Sequence, residues 1–161
     1  MTKLDKEVLE KILKFQKSEI TEHLIYKKLA RLAGPNQALL EKISQEELKH
    51  YYVWKSYSQK EVKPSLIQLW FYTGLSWLLG LTFGIKLMEG GEKDAQLAYD
   101  EISSAVAEAK EIYQEERAHE QALIRLIDEE RLAYMGSIVL GLNDALVEFT
   151  GALAGFTLAL A

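Results

Sequence analysis

Apolar residues recur at helical spacing along most of this chain. From Leu4 to Ala33 they fall at Leu4, Val8, Ile12, Phe15, Ile20, Leu24 and Leu29, with Lys and Glu between them, which predicts an amphipathic helix. Gly34-Pro35-Asn36 ends that helix in a tight turn. A second helix is predicted from about Gln37 to Gln59, with Leu40, Ile43, Leu48, Tyr51 and Trp54 among its apolar positions, and it stops before Lys63-Pro64. A third continues past Gly90-Gly91 to about Ile102, where Ser103-Ser104 offers a break and a new N-cap. A fourth is predicted from about Ala105 to Ala133, with Val106, Ile112, Leu123 and Ile127 on its apolar side.

Two stretches depart from this amphipathic pattern. Ser65 to Ile85 carries no charge and is rich in Leu, Trp and Phe. By length it is near the threshold of about 20 residues for a membrane span; the alternative is a connection leading into a buried helix. Met135 to Ala161 is 27 residues without Lys, Arg or Pro, interrupted only by Asn143, Asp144 and Glu148. It reads as the start of a membrane segment, cut short, or as a terminal helix packed in an oligomer. The expected organisation is a helical domain over residues 1–133 followed by a membrane segment over 134–161. Arg125 and Arg131 just before the span keep the domain cytoplasmic by the positive-inside tendency. The apolar run Leu69 to Phe83 predicts at least a homodimer.

Composition narrows the chemistry. A net charge of -5 with a pI near 5.3, and no Lys/Arg block, argue against nucleic acid and in favour of cations. The absence of cysteine removes disulfides, thiolate-bound zinc, iron–sulfur clusters and thiol nucleophiles together. Any metal is therefore held by oxygen and imidazole. Met1 to Lys17 is charged and amphipathic, without the apolar stretch of a secretory leader.

Two of the three histidines stand three residues after a glutamate, in Glu47-x-x-His50 and Glu116-x-x-His119. On a helix this spacing puts a carboxylate and an imidazole on one face, one turn apart, as a chelating pair. Four helices build a dinuclear carboxylate site when two supply such a pair and two supply a Glu each. Heights can be compared by distance from each turn. Glu19 precedes Gly34 by about as much as Glu47 follows Pro35, and Glu92 precedes Ser103-Ser104 by about as much as Glu116 follows it. The predicted ligands are therefore Glu19, Glu47, His50, Glu92, Glu116 and His119, with Glu89 and Glu22 as accessory candidates. For the hairpins to share a site, a long connection must return along the bundle. Lys60 to about Leu79 spans about 30 Å if helical and supplies it. His23 is expected to be exposed or to support a ligand from outside. Tyr26, Tyr99 and Tyr113 are expected in the core, with hydrogen bonds to ligands as the alternative. Four carboxylates and two imidazoles suit a pair of ferrous or manganous ions, iron first.

These residues resemble a family. Glu19 with Tyr26, Glu47-x-x-His50, Gly91-Glu92 and Glu116-x-x-His119 look like the ligand pattern of the ferritin-like superfamily in its rubrerythrin branch, over about residues 5 to 133. The resemblance departs at Ala95, where another Glu is common, and in lacking a cysteine-ligated iron centre. It implies a four-helix bundle with a long crossover between helices 2 and 3, holding two iron ions. The tail, Gly141-Leu-Asn-Asp144-Ala-Leu-Val-Glu-Phe149 with Gly151 and Gly155, is similar to the first transmembrane helix of the vacuolar-iron-transporter family, where Asp144 matches an intramembrane acidic position. Together the two resemblances imply a diiron domain that captures, senses or oxidises ferrous iron for an attached membrane iron or manganese transporter. The alternatives are a stand-alone ferroxidase or peroxidase of rubrerythrin type, and a helical interaction module whose Glu-x-x-His pairs are merely solvated.

Overall fold

The computed structural model describes residues 5–89, 102–103 and 105–159, and among these every regular element is helical, with no strand. Helix α1 is Lys6–Leu29, followed by 3-10 turns at Ala30–Leu32 and Gly34–Asn36; α2 is Gln37–Ser58, α3 Leu66–Leu79, α4 Leu81–Glu89 and α5 Ala109–Ala159. The predicted helix ending at Ala33 thus closes at Leu29, because the chain tightens into 3-10 turns before Gly34 takes a left-handed φ of 52°. Gln59 caps α2 in the left-handed conformation, its N–H donating to Lys55 O at 3.0 Å.

Helices α1 and α2 form an antiparallel hairpin. Two buried polar clasps fix its register. Near the turn, His23 Nδ1 lies 2.7 Å from Ser44 O, and Ser44 Oγ donates to His23 O at 3.0 Å. At the far end Ser58 Oγ donates to Gln16 Oε1 at 2.7 Å, and Gln16 Nε2 donates to Lys60 O at 2.9 Å. His23, expected to be exposed or to back a ligand, is instead buried in the first clasp, because its position falls on the inward stripe of α1.

After Lys60 the chain turns onto α1 again. Ser65 N donates to Thr21 Oγ1 at 2.9 Å, and Lys28 Nζ stands 4.2 Å above the Trp70 ring, so α3 runs beside α1 in the same direction. Ser65 caps α3, and α3 ends at Leu79, where the connection was expected to end. Gly80, at φ 96° and ψ 155°, breaks the helix in a region open essentially to glycine alone. Four residues on each side of that break, Ser76 and Gly84 meet so closely that a Cβ on Gly84 would lie 2.9 Å from Ser76 Cβ. Much of the apolar surface of α3, including Ile67, Trp70, Phe71, Trp77 and Leu78, is exposed. The predicted course of the third helix through Gly90-Gly91, with Glu92 and Tyr99, lies outside the described residues, as does the Glu89 side chain.

The chain divides into two compact units, Met1–Ile124 and Arg125–Ala161. In the first, Ile12, Trp54, Ile102, Val106, Ala109 and Ile112 make an apolar cluster, with Phe15, Tyr57 and Tyr113 packed on it. The turn after Ile102 lies at the predicted break, but α5 begins at Ala109 rather than Ala105. α5 runs antiparallel to α2: Glu108 accepts from Tyr57 of α2 near one end, and His119 reaches Glu46 and Glu47 further along. In the second unit, Tyr134–Ala159 is a helical segment of 26 residues, long and apolar enough to cross a membrane, and its side chains are exposed.

Replacing Gly80 by Ala is expected to cost about 1–3 kcal/mol in urea or thermal unfolding, from its backbone conformation. Gly74→Ala in the middle of α3, where nothing lies within 4 Å of the new Cβ, is expected to be neutral or to stabilise by up to about 1 kcal/mol. Equal effects at the two glycines would contradict the break at Gly80.

Candidate metal centre

The most buried stripe of α1 is Ile12, Gln16, Glu19, His23 and Tyr26, at spacings of three and four. It lies beside the apolar line read from the sequence, in which Ile20 and Leu24 prove only half-buried. On α2 the inward stripe is Leu40, Ile43, Glu47, His50 and Trp54. On α5, Ile112 and Leu123 bracket Glu116 and His119. Acidic and imidazole side chains thus take positions that helical periodicity reserves for core residues, with apolar layers above and below.

Four predicted ligands converge. One ligand atom from each of Glu19, Glu47, His50 and Glu116 lies within 4.8 Å of all the others. His50 Nδ1 is 2.8 Å from Glu116 Oε1 and 3.6 Å from both Glu19 Oε2 and Glu47 Oε2. His119 stands at the edge of this group, with Nδ1 3.1 Å from Glu47 Oε1 and 3.9 Å from Glu116 Oε2. The two imidazole centroids are 5.9 Å apart. Glu47 and Glu116 therefore each extend one oxygen toward each histidine. Glu22, half-buried, accepts from Ser18 Oγ at 2.7 Å and lies outside the converging group. Tyr113 packs on the apolar cluster and Tyr26 is buried.

Burial gives these groups an unusual balance of protons. Burial, and then the charge of Glu116, pushes the Glu47 carboxyl up to about 8. Burial likewise holds Glu19 well above the usual carboxylate range, with Glu116 adding to the effect and His50 opposing it. Burial alone would lower His50, but the carboxylates of Glu116, Glu19 and Glu47 outweigh it and raise the imidazole far above its ordinary value. Within this cluster three fully buried atoms have no hydrogen-bond partner: Glu47 Oε2, His50 Nδ1 and Glu116 Oε1. Leaving such atoms unpaired costs about 1–3 kcal/mol each. They lie close to one another, His50 Nδ1 2.8 Å from Glu116 Oε1 and 3.6 Å from Glu47 Oε2, where a cation between them could be held by all three. Oxygen and imidazole donors of this kind could hold a metal ion.

Three contributors escape a search for Glu-x-x-His. Trp54 Nε1 donates to Glu19 Oε1 at 2.9 Å and fixes that carboxylate from the apolar side. Glu46 Oε2 lies 2.8 Å from His119 Nε2, and Glu115 Oε2 lies 2.7 Å from His50 Nε2. Their signal was in the sequence as the repeated string Gln-Glu-Glu-x-x-His, at Gln45 and again at Gln114, in which each ligand Glu is preceded by another. A cavity of about 210 Å³ beside the centre is walled by Glu46, Glu115 and His119 together with Lys42 and Ile43. Comparison with protein families, curated proteins and solved structures finds no match for this chain.

The proton balance has a sign that can be measured. Glu19, Glu47 and His50 all bind protons more tightly in the folded chain than in the unfolded one, so the metal-free fold loses stability as pH rises from about 5 to 8. Melting in the presence of a chelator is expected to follow that slope, and Glu47→Gln to flatten it. Divalent cations displace the same protons, so their affinity rises with pH toward about 8 and binding releases protons, measurable by calorimetry in buffers of different ionisation enthalpy. Affinity independent of pH across that window would contradict the assignment.

Proposed function

We propose that this centre is the dinuclear site of a ferritin-like, rubrerythrin-type domain and that it takes up two ferrous ions, with manganese as the alternative cargo. The observation that carries the reading is the way Glu47 and Glu116 each divide their oxygens between the Nδ1 atoms of His50 and His119. A carboxylate shared in this way is the bridge that two adjacent cations require. Glu19 and His50 would hold one ion and His119 the other; the remaining predicted ligand, Glu92, lies outside the described residues. The course of the chain supports the same reading. α1 and α2 are antiparallel, α3 returns beside α1 in the same direction as α1, and α5 is antiparallel to α2, a course compatible with a bundle that has one long crossover between helices 2 and 3. Ferrous ions bound by carboxylates and imidazoles are open to oxidation by dioxygen or peroxide.

The second unit gives that chemistry a purpose. Asp144 and Glu148 stand one turn apart within Tyr134–Ala159, and ionisable groups in a membrane span mark ion paths. The domain therefore captures, senses or oxidises ferrous iron for an attached membrane iron or manganese transporter, in efflux, storage or detoxification. It faces the cytoplasm, and the apolar surface of α3 pairs two copies.

Anaerobic loading with ferrous iron followed by elemental analysis is expected to give about two ions per chain. Glu116→Ala combined with His119→Ala is expected to remove them. Absence of bound iron in the unaltered protein overturns the proposal and leaves the solvated interaction module. The membrane part is tested separately: the chain is expected to resist carbonate extraction from membranes, and removal of residues 134–161 to release it. Release of the intact chain, with fast peroxide consumption, favours the stand-alone enzyme.

A further inference from the structure

The two Gln-Glu-Glu-x-x-His strings meet each other across antiparallel helices, and their contacts are reciprocal. His50 of α2 lies between the adjacent carboxylates of α5, with Nδ1 2.8 Å from Glu116 and Nε2 2.7 Å from Glu115. His119 of α5 lies between the adjacent carboxylates of α2, with Nδ1 3.1 Å from Glu47 and Nε2 2.8 Å from Glu46. In each string the second Glu faces the inner nitrogen and the first Glu the outer one. Burial falls in the same sense: Glu47 is 1% and Glu116 17% exposed, against 20% for Glu46 and 48% for Glu115.

From this reciprocity we infer that Glu46 and Glu115 are positioning residues of the metal centre, each clamping the histidine of the opposite helix through its outer nitrogen. The inference rests on the metal-centre reading given above and goes beyond it in assigning a role to two carboxylates outside the ligand set. A carboxylate accepts and does not donate, so an imidazole nitrogen held beside it carries the proton. When a cation occupies the space between Nδ1, Glu47 and Glu116, it takes the lone pair of Nδ1 and the proton stays on Nε2 beside the rim carboxylate. The same contact fixes the ring plane and makes Nδ1 a stronger donor. The arrangement also links the two helices twice, so each outer carboxylate acts on a ligand that its own helix does not carry. The short sequence distance between Glu46 and Glu47, or Glu115 and Glu116, makes this reach possible. Neighbours in sequence diverge by about 100° around a helix, so one inserts between the helices while the other closes over the rim.

Cobalt(II) tests the assignment, because it binds such ligands and shifts the resonances of histidine ring protons. The full chain loaded with Co(II) is expected to show two shifted N–H signals that exchange slowly with solvent, one from each histidine. Glu115→Ala is expected to speed exchange at His50 and not at His119, and Glu46→Ala to do the reverse. Each Ala variant is expected to weaken Co(II) binding about 10- to 100-fold. Glu115→Gln and Glu46→Gln, which keep an accepting oxygen, are expected to restore slow exchange and part of the affinity. Circular dichroism and melting of the metal-free variants provide the control for folding, and the Gln variants keep the test open where an Ala variant fails to fold. Ala variants that bind Co(II) within about twofold of the unaltered chain, with both N–H signals unchanged, overturn this inference alone. An unaltered chain that binds no Co(II) overturns the metal centre with it.

Discussion

The structure depends on one electrostatic constraint: three carboxylates and two imidazoles lie between apolar layers where water does not reach most of them. Separately, each would carry a desolvation penalty of several kcal/mol if charged. Together they divide the cost, because raised proton affinities keep some of the carboxylates neutral and leave His50 charged among them. That compromise leaves Glu47 Oε2, His50 Nδ1 and Glu116 Oε1 without hydrogen-bond geometry. A layer so arranged is a poor core and could hold a cation, and the same groups account for both properties.

Such a layer works only if the helices that carry it are held in register from outside it. The His23–Ser44 clasp lies on one side of Glu19 and Glu47, and the Gln16–Ser58–Lys60 clasp on the other. Sliding α1 past α2 by one residue would break both. Trp54 adds a third constraint, since its indole stacks on Phe15 with centroids 5.3 Å apart while its N–H holds Glu19. The apolar cluster at that end thereby reaches into the polar layer and sets the position of a ligand. Between α2 and α5 the register is set by the ligands themselves through the paired contacts of His50 and His119.

Much of this was legible beforehand for a simple reason: a helix has one period, and spacing alone tells which residues share a face. Glu47 with His50 and Glu116 with His119 needed no tertiary information, and equal distance from a turn was enough to bring Glu19 level with Glu47. The limit of the same reasoning appears on α1. The apolar positions Ile20 and Leu24 drew the inward line slightly aside from its true course, because Gln16, Glu19 and His23 occupy the centre of the buried stripe and read as surface residues. His23 was misplaced for that reason. Gly80 shows the other side of periodicity, since an uncharged run from Ser65 to Ile85 looks continuous until the backbone conformation of one residue is known.

By itself the sequence determined the helical class, the inward pairing of each glutamate with its histidine, the oxygen and imidazole donor set, and an apolar segment long enough to cross a membrane. These follow from local period and composition, which can be read before the contacts are known. Only the tertiary structure decided which carboxylate faces which nitrogen. Glu46 and Glu115 differ from Glu47 and Glu116 by one step along a helix, and spacing that marks the inner pair says nothing of what the outer carboxylates touch across the gap. The contact between the helices decides it, because a histidine ring has two nitrogens on opposite edges and can hold one carboxylate at each.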